Sequence, residues 1–188
     1  MGATVPFRIR PGRAAALLLS AAVVAGGLTG CSVLSPFTTC DGTEARMKEL
    51  ESLPLLASPP PGATPPRSFD GVQSECADDS GDAWLSAGRV YVYPGTRQEV
   101  LDHYRKAAEA DGWRFEPQPV AGYELMGSCF TKGEEGQAKQ LMLNFVSARE
   151  FTEFYGPDIG REFASGAGFD IQVGSAADGA GGVDTSCQ

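Results

Sequence analysis

The chain has 188 residues, with 24 acidic against 15 basic side chains, a net charge of −9 and a single histidine. That length allows one domain of ordinary size with a real core. The acidic balance opposes binding to nucleic acid or to anionic headgroups, and one imidazole leaves little for histidine-dependent chemistry.

The first thirteen residues carry Arg8, Arg10 and Arg13 and no acid. Ala14 to Ala25 is apolar, broken only by Ser20, and Gly26-Gly27 loosens the chain before Leu28-Thr29-Gly30-Cys31. The apolar run is short of the roughly 20 residues that span a bilayer. A charged start, a short apolar middle and small residues before a cut are the export pattern. Leu28 to Cys31 resembles a bacterial lipobox, so residues 1–30 read as a lipoprotein signal peptide. Cys31 is then expected to become the first mature residue and to carry a diacylglyceryl group and palmitate. Ile9 separates Arg8 from Arg10, so no twin arginine is present and general secretion is expected. Taking the three leader arginines from the 15 basic residues leaves 12 against 24 acidic, a mature net charge of −12. The lipid, rather than a basic patch, is expected to hold the chain at the extracytoplasmic face of the cell membrane.

Of five cysteines, lipidation uses Cys31 and leaves Cys40, Cys76, Cys129 and Cys187. Four cysteines in an exported chain read as two disulfides. They lack the close C-x-x-C pairs of a zinc site, and only His103 adds an imidazole, so no metal is expected. Three pairings are possible. The layout favours a nested one, Cys76–Cys129 inside Cys40–Cys187, because the outer bond would pin both loose ends. The sequential pairing, Cys40–Cys76 with Cys129–Cys187, stays open.

Residues 32–39 form a tether of at most about 28 Å. Asp41 and Glu44 fit a capping box for a short helix with Met47 and Leu50 on one face, stopped by Pro54. Residues 58–66 read as an extended proline-rich strap. Residues 31–75 thus hold the lipidated cysteine, tether, short helix and strap, and residues 76–188 an α+β domain with a Gly/Ala-rich tail. In Cys76-Ala-Asp-Asp-Ser-Gly-Asp82, Asp78, Ser80 and Asp82 fit the first ligand positions of a calcium loop. Ala83 and Arg89 then stand where glycine and glutamate are needed, so the segment reads as an acidic turn.

The core begins at Trp84. Gly88 to Tyr93 alternates, with Val90 and Val92 on one face and Tyr91 and Tyr93 on the other. Thr96-Arg-Gln-Glu99 is a capping box opening a helix whose stripe is Val100, Leu101, Tyr104, Ala107 and Ala108. Gly112 ends it and Trp113 folds back. Strands are expected at 113–116, 122–131 and 139–146, the last with Leu141, Leu143 and Phe145 on one face and Met142 and Val146 on the other. A looser segment holds Phe151, Phe154, Tyr155 and Phe163. Phe169, Ile171 and Val173 form a last strand, and residues 174–186 are expected to be mobile until Cys187 ties them down. The fold class is α+β: two layers, an antiparallel-rich sheet of about five strands with one main helix packed on one face, plus the short N-terminal helix. The strand before the main helix and the strand after it are expected to be parallel neighbours.

No G-x-S-x-G elbow, P-loop or dinucleotide fingerprint occurs, so no catalytic residue and no cofactor are assigned. His103 reads as a packed or surface helical residue. Asp78, Asp79 and Asp82 are the densest carboxylates, but they are neighbours on a turn. Phe151, Phe154 and Tyr155 fit either a cover for the sheet or an exposed docking patch.

Cys76-Ala-Asp-Asp-Ser-Gly81, Gly88-Arg-Val-Tyr91, Glu99-Val-Leu-Asp-His-Tyr104, Asp111-Gly-Trp113 and Cys129-Phe-Thr-Lys132 resemble small lipoproteins of high-GC Gram-positive bacteria, actinobacteria of the Streptomyces kind. The resemblance covers about residues 76–132. It implies location and class, with no activity to transfer, and it implies Cys76 and Cys129 as mates. The sequence therefore reads as a membrane-anchored binding or accessory module of the cell envelope. Its expected partners are the membrane, through Cys31, and an envelope protein or small ligand. The alternative is a small envelope hydrolase using a carboxylate pair; a transporter's two-lobed solute-binding subunit ranks last because the chain is too short.

Overall fold

The computed structural model describes residues 39–67, 69–79, 82–117, 127–134, 138–155 and 166–179. Residues 37–188 belong to one compact unit. In chain order its elements are helix α1 (Glu44–Glu51), a 3-10 turn (Pro54–Ala57), β1 (Gln73–Asp79), β2 (Asp82–Tyr93), helix α2 (Arg97–Ala110), β3 (Arg114–Glu116), β4 (Gly127–Lys132), β5 (Lys139–Val146), helix α3 (Ala148–Tyr155) and β6 (Ala167–Ala176).

The six strands form one sheet in the order β1-β2-β6-β5-β4-β3, and every neighbouring pair is antiparallel. The α+β class holds, with six strands where five were expected. The extra one is β1, which forms a hairpin with β2. Residues 76–79 of the expected acidic turn are instead strand, and Asp79 pairs with Asp82 in the backbone ladder.

Strand alternation sorts the side chains onto two faces. Leu85, Ala87 and Tyr91 of β2, Phe169, Ile171 and Val173 of β6, Leu141, Leu143 and Phe145 of β5 and Phe130 of β4 meet the helical layer in one core. That layer contributes Val100, Leu101, Tyr104 and Ala108 from α2, Leu50 from α1, and Leu55 and Leu56 from the 3-10 turn. Phe169 is fully buried at the centre, with ring centroids 5.5 Å from Tyr91 and 5.8 Å from Tyr104.

Helix α2 forms as its sequence dictates. Thr96 Oγ1 accepts from the Glu99 amide while Glu99 Oε2 accepts from the Thr96 amide, completing the capping box. Gly112, at φ 79°, supplies the left-handed residue that ends the helix, and the Trp113 amide turns back to the Ala108 carbonyl. The expected parallel pairing of the flanking strands is overturned. Strand β6 inserts beside β2, and β3 lies at the far edge, four strand spacings away. Those spacings sum to about 19 Å; fourteen helical residues rise about 21 Å. The helix has the length to cross the sheet.

Helix α1 starts without its expected box. Thr43 is the N-cap with no side-chain cap bond, and its hydroxyl donates instead to the Cys40 carbonyl. Gly42 at φ 75° makes the preceding turn, which places Asp41 outside the helix start. The α1 surface is tied down by Arg46 Nη1, which donates to the Ala177 carbonyl at 2.7 Å, and by an ion pair between Glu49 and Lys139. That lysine holds the Glu49 carboxyl below its usual range.

The proline-rich segment does behave as a strap. Thr64 and Val92 exchange both backbone hydrogen bonds. His103 Nε2 donates to the Ser58 carbonyl at 2.8 Å, so the imidazole fastens the strap to α2.

Cys40 and Cys76 are disulfide-bonded, with Cα atoms 5.9 Å apart. This overturns the nested pairing and the mating of Cys76 with Cys129. Cys76 sits on the edge strand β1 opposite Leu85, packed against the core, whereas Cys129 lies on β4. Four strand spacings, about 19 Å, separate those strands, far beyond the roughly 7 Å a disulfide bridges. Cys129 is itself disulfide-bonded; Cys31 and Cys187 lie outside the described residues.

Two further expectations change. The segment at 148–155 is helical, begun by Ser147, whose hydroxyl accepts from the Glu150 amide while Glu150 Oε2 accepts from the Ser147 amide. Residues 174–176 continue β6, and the Ala177 amide bonds the Ala83 carbonyl, so the ordered chain reaches past the expected end of the strand. Residues 122–126 of the expected fourth-strand start lie outside the described residues. Among the described residues no helix is long and apolar enough to cross a membrane.

Candidate functional site

The face turned away from the core is built in cross-strand rows. One row runs Val90, Asp170, Asn144, Gly127 across β2, β6, β5 and β4. The next runs Gln73, Gly88, Gln172, Met142, Cys129, Glu116 across the whole sheet. A third runs Glu75, Ser86, Gly174, Gln140, Thr131, Arg114. The two faces thus differ: the first is mostly apolar, with Arg89, Ser128 and Ser175 among its few polar residues, the second largely polar in its middle rows. The apolar cluster on this side is small, with Val90 buried against Phe69, Val92 and Val146.

A dip lies where the rows lose their side chains. Gly88 presents none, Ser86 is small, and around them Gln73, Glu75, Val90, Asp170 and Gln172 stand as walls. They enclose a concavity of about 360 Å³. That is at the lower end of the range for small-molecule sites. A Cβ on Gly88 would sit 3.0 Å from the Ile171 carbonyl oxygen, so the floor is already close-packed. At one end Trp84 lays its indole on Gly174, where a Cβ would fall 2.6 Å from Nε1. Arg89 borders the concavity from β2, but its side chain belongs to the core face, where burial raises the Tyr91 phenol and Arg89 offsets part of that rise.

Asp170 is the unusual wall. It stands on the central strand β6, flanked by Val90 and Asn144. Asn144 Nδ2 donates to its Oδ2 at 3.1 Å. One side of the residue is open to the concavity, yet neighbouring atoms crowd the carboxyl. This desolvation pushes the Asp170 carboxyl above its ordinary value, against the smaller pull of Asn144 and its own backbone amide. The far edge of the face shows the opposite case. Glu116 accepts from the Thr131 hydroxyl at 2.7 Å and from Arg114 Nε at 2.9 Å, and that hydroxyl bond first, then the guanidinium, holds its carboxyl low.

A raised carboxyl has a defined effect on stability. Between the ordinary value of 3.8 and the raised one, the native chain binds more protons than the unfolded chain, so stability falls as pH rises through that window. The other charged residues lining this concavity are Glu75 and Arg89. Asp170→Asn keeps an oxygen for Asn144 and removes the charge. Urea unfolding of the variant at pH 7 should show a gain of about 1–3 kcal/mol, the range for relieving a poorly compensated buried polar group, and the gain should vanish by pH 3.5. A loss at pH 7 would mean that the carboxylate is already compensated.

The residues singled out in the sequence fall elsewhere. Asp78 is at the hairpin end, and its neighbours Asp79 and Asp82 pair with each other in the backbone ladder, away from the concavity. Among the described residues no three His, Cys, Asp or Glu side chains gather to hold a metal. His103 serves the strap. Phe151, Phe154 and Tyr155 are on α3, with side chains outside the described set, as is Phe163. Asp170 and Gly88 were missed. The available signal was Phe169-Asp170-Ile171, a lone acid inside an alternating strand.

The described residues thus form an open antiparallel sheet with α1, the 3-10 turn and α2 on one face and a polar concavity on the other. Comparison with family models, with curated proteins and with solved structures finds no match.

Proposed function

We propose that this chain is a lipid-anchored, extracytoplasmic binding module of the bacterial cell envelope, held to the membrane through Cys31. The leader and the Leu28 to Cys31 segment support the anchor, and the disulfide between Cys40 and Cys76 supports an oxidising compartment. The observation that carries the binding role is the concavity over Gly88, walled by Asp170. Keeping a desolvated carboxylate on a central strand costs stability, and such groups concentrate at functional positions.

Binding is favoured over hydrolysis by the strand register. Glu75 pairs with Ser86 and Asp170 with Val90, so the two carboxylates are two strands and four residues apart. Their Cα atoms are then separated by roughly 16 Å, wide for the approximately 5–9.5 Å spacing at which paired carboxyls do acid/base work.

A photo-reactive residue placed at Gln73, on the rim, tests the binding face in whole membranes. Irradiation should give adducts from Gln73 and none from exposed Lys106 on α2. Adducts from Lys106 alone, or from neither position, would refute the assignment.

A further inference from the structure

We infer that the concavity over Gly88 takes an organic cation, a small ligand carrying a protonated amine that sits against Asp170. The inference rests on the binding role proposed above and names the ligand class of that site.

The chemistry of the walls carries it. Glu75 and Asp170 are carboxylates, and Gln73, Ser86 and Gln172 offer further oxygens. Among the described residues, Arg89 is the one cationic residue on the lining. Arg89 contributes to the wall, but its guanidinium acts on the Tyr91 hydroxyl in the core. The ion pairs at Arg114, Lys132, Lys139 and Arg149 all use other acids. Asn144 gives Asp170 one hydrogen bond, on Oδ2. Its own backbone amide is a second donor, and among the described residues no ion pair reaches this crowded carboxylate, so its charge is left without a counter-charge. An ammonium group supplies that counter-charge. It also suits the remaining surroundings. The carboxamides of Gln73 and Gln172 face each other across Gly88 and can accept from the same cation or from hydroxyls beside it. Val90 gives an apolar side for a short methylene chain.

A metal ion fits less well. A hard divalent cation requires six or more oxygens in a closed shell, whereas the two carboxylates here are set wide apart and no third acid joins them among the described residues. The acidic surface adds long-range attraction for any cation, which raises the rate of encounter without selecting the site.

The test uses the full-length chain, labelled with nitrogen-15 and held in detergent micelles. It is titrated separately with 1,4-diaminobutane, calcium chloride and glucose while amide shifts are followed. The amine should give saturable shifts centred on Gly88 and Gln172. Asp170→Asn should weaken its binding about tenfold or more, and Glu75→Gln, at an exposed rim position, should weaken it several-fold without touching the fold. Amine shifts scattered over the acidic surface, unchanged affinity in both variants, or a preference for calcium would overturn the cation assignment. Saturable glucose shifts at the same amides, indifferent to Asp170→Asn, would also overturn it while keeping this face as a binding surface. No response at these amides to any probe would count against both.

Discussion

Replacing both Cys40 and Cys76 by serine should cost the domain about 4 kcal/mol, the loop-closure value for a separation of 36 residues. Small domains are stable by about 5–15 kcal/mol in total, so the loss is a large share. The position of the bond explains why it matters beyond entropy. Strand β1 is an edge with one partner, β2. Its outward residues Gln73, Glu75 and Ala77 are exposed, and on its inner face Cys76 is the apolar contact with the core. The segment closed by the bond includes α1, the 3-10 turn and the strap. These bring Leu50, Leu55 and Leu56 onto the sheet and hold the Leu56 carbonyl, which accepts from the buried Tyr91 hydroxyl at 2.7 Å. Urea unfolding of the double variant should shift to lower denaturant, and hydrogen exchange should quicken first in β1 and α1. A variant with unchanged midpoint and unchanged exchange in β1 would show that side-chain packing alone secures this layer.

Phe169→Ala should cost a similar amount, about 3–5 kcal/mol. Phe169 is fully buried on β6, between β2 and β5, and contacts Tyr91, Tyr104 and Phe145 with ring centroids 5.5, 5.8 and 6.5 Å away. It therefore joins three strands and the main helix at one point. The surrounding strands are hydrogen-bonded on both sides and have little freedom to close the resulting cavity. A loss below about 1.5 kcal/mol, the level of a conservative core change, would mean that Tyr104 collapses into the space.

These two sites differ in how plainly the sequence announced them. Phe169, Ile171 and Val173 alternate, so their shared face was readable; so were Leu141, Leu143 and Phe145 on β5. Helix α2 was readable because its start and stop are local chemistry, Thr96 with Glu99 and then Gly112. Strand β1 was not, because Gln73-Ser-Glu-Cys-Ala-Asp-Asp79 has no apolar alternation. An edge strand with one solvated face and a disulfide on the other does not require one. Helix α3 carried a readable signal, Ser147 and Glu150, obscured by its dense aromatics. The placement of β6 between β2 and β5 depends on pairing between distant segments, which periodicity does not encode. The concavity has the same origin. Gly88 and Asp170 lie far apart in sequence, and register alone brings them into adjacent rows. The disulfide pairing follows too: once β1 and β4 are four strands apart, Cys76 cannot reach Cys129.

Export and anchoring through Cys31 are the proposal on which the oxidising compartment and the binding role depend. One intact-mass measurement, made under non-reducing conditions on the chain recovered from membranes, reads both. The predicted mass is that of residues 31–188 with a diacylglyceryl group on Cys31 and no free thiol among Cys40, Cys76, Cys129 and Cys187, and Cys31→Ala should abolish the lipid increment. A mass equal to the uncleaved chain from Met1, without lipid and with free thiols, would contradict it.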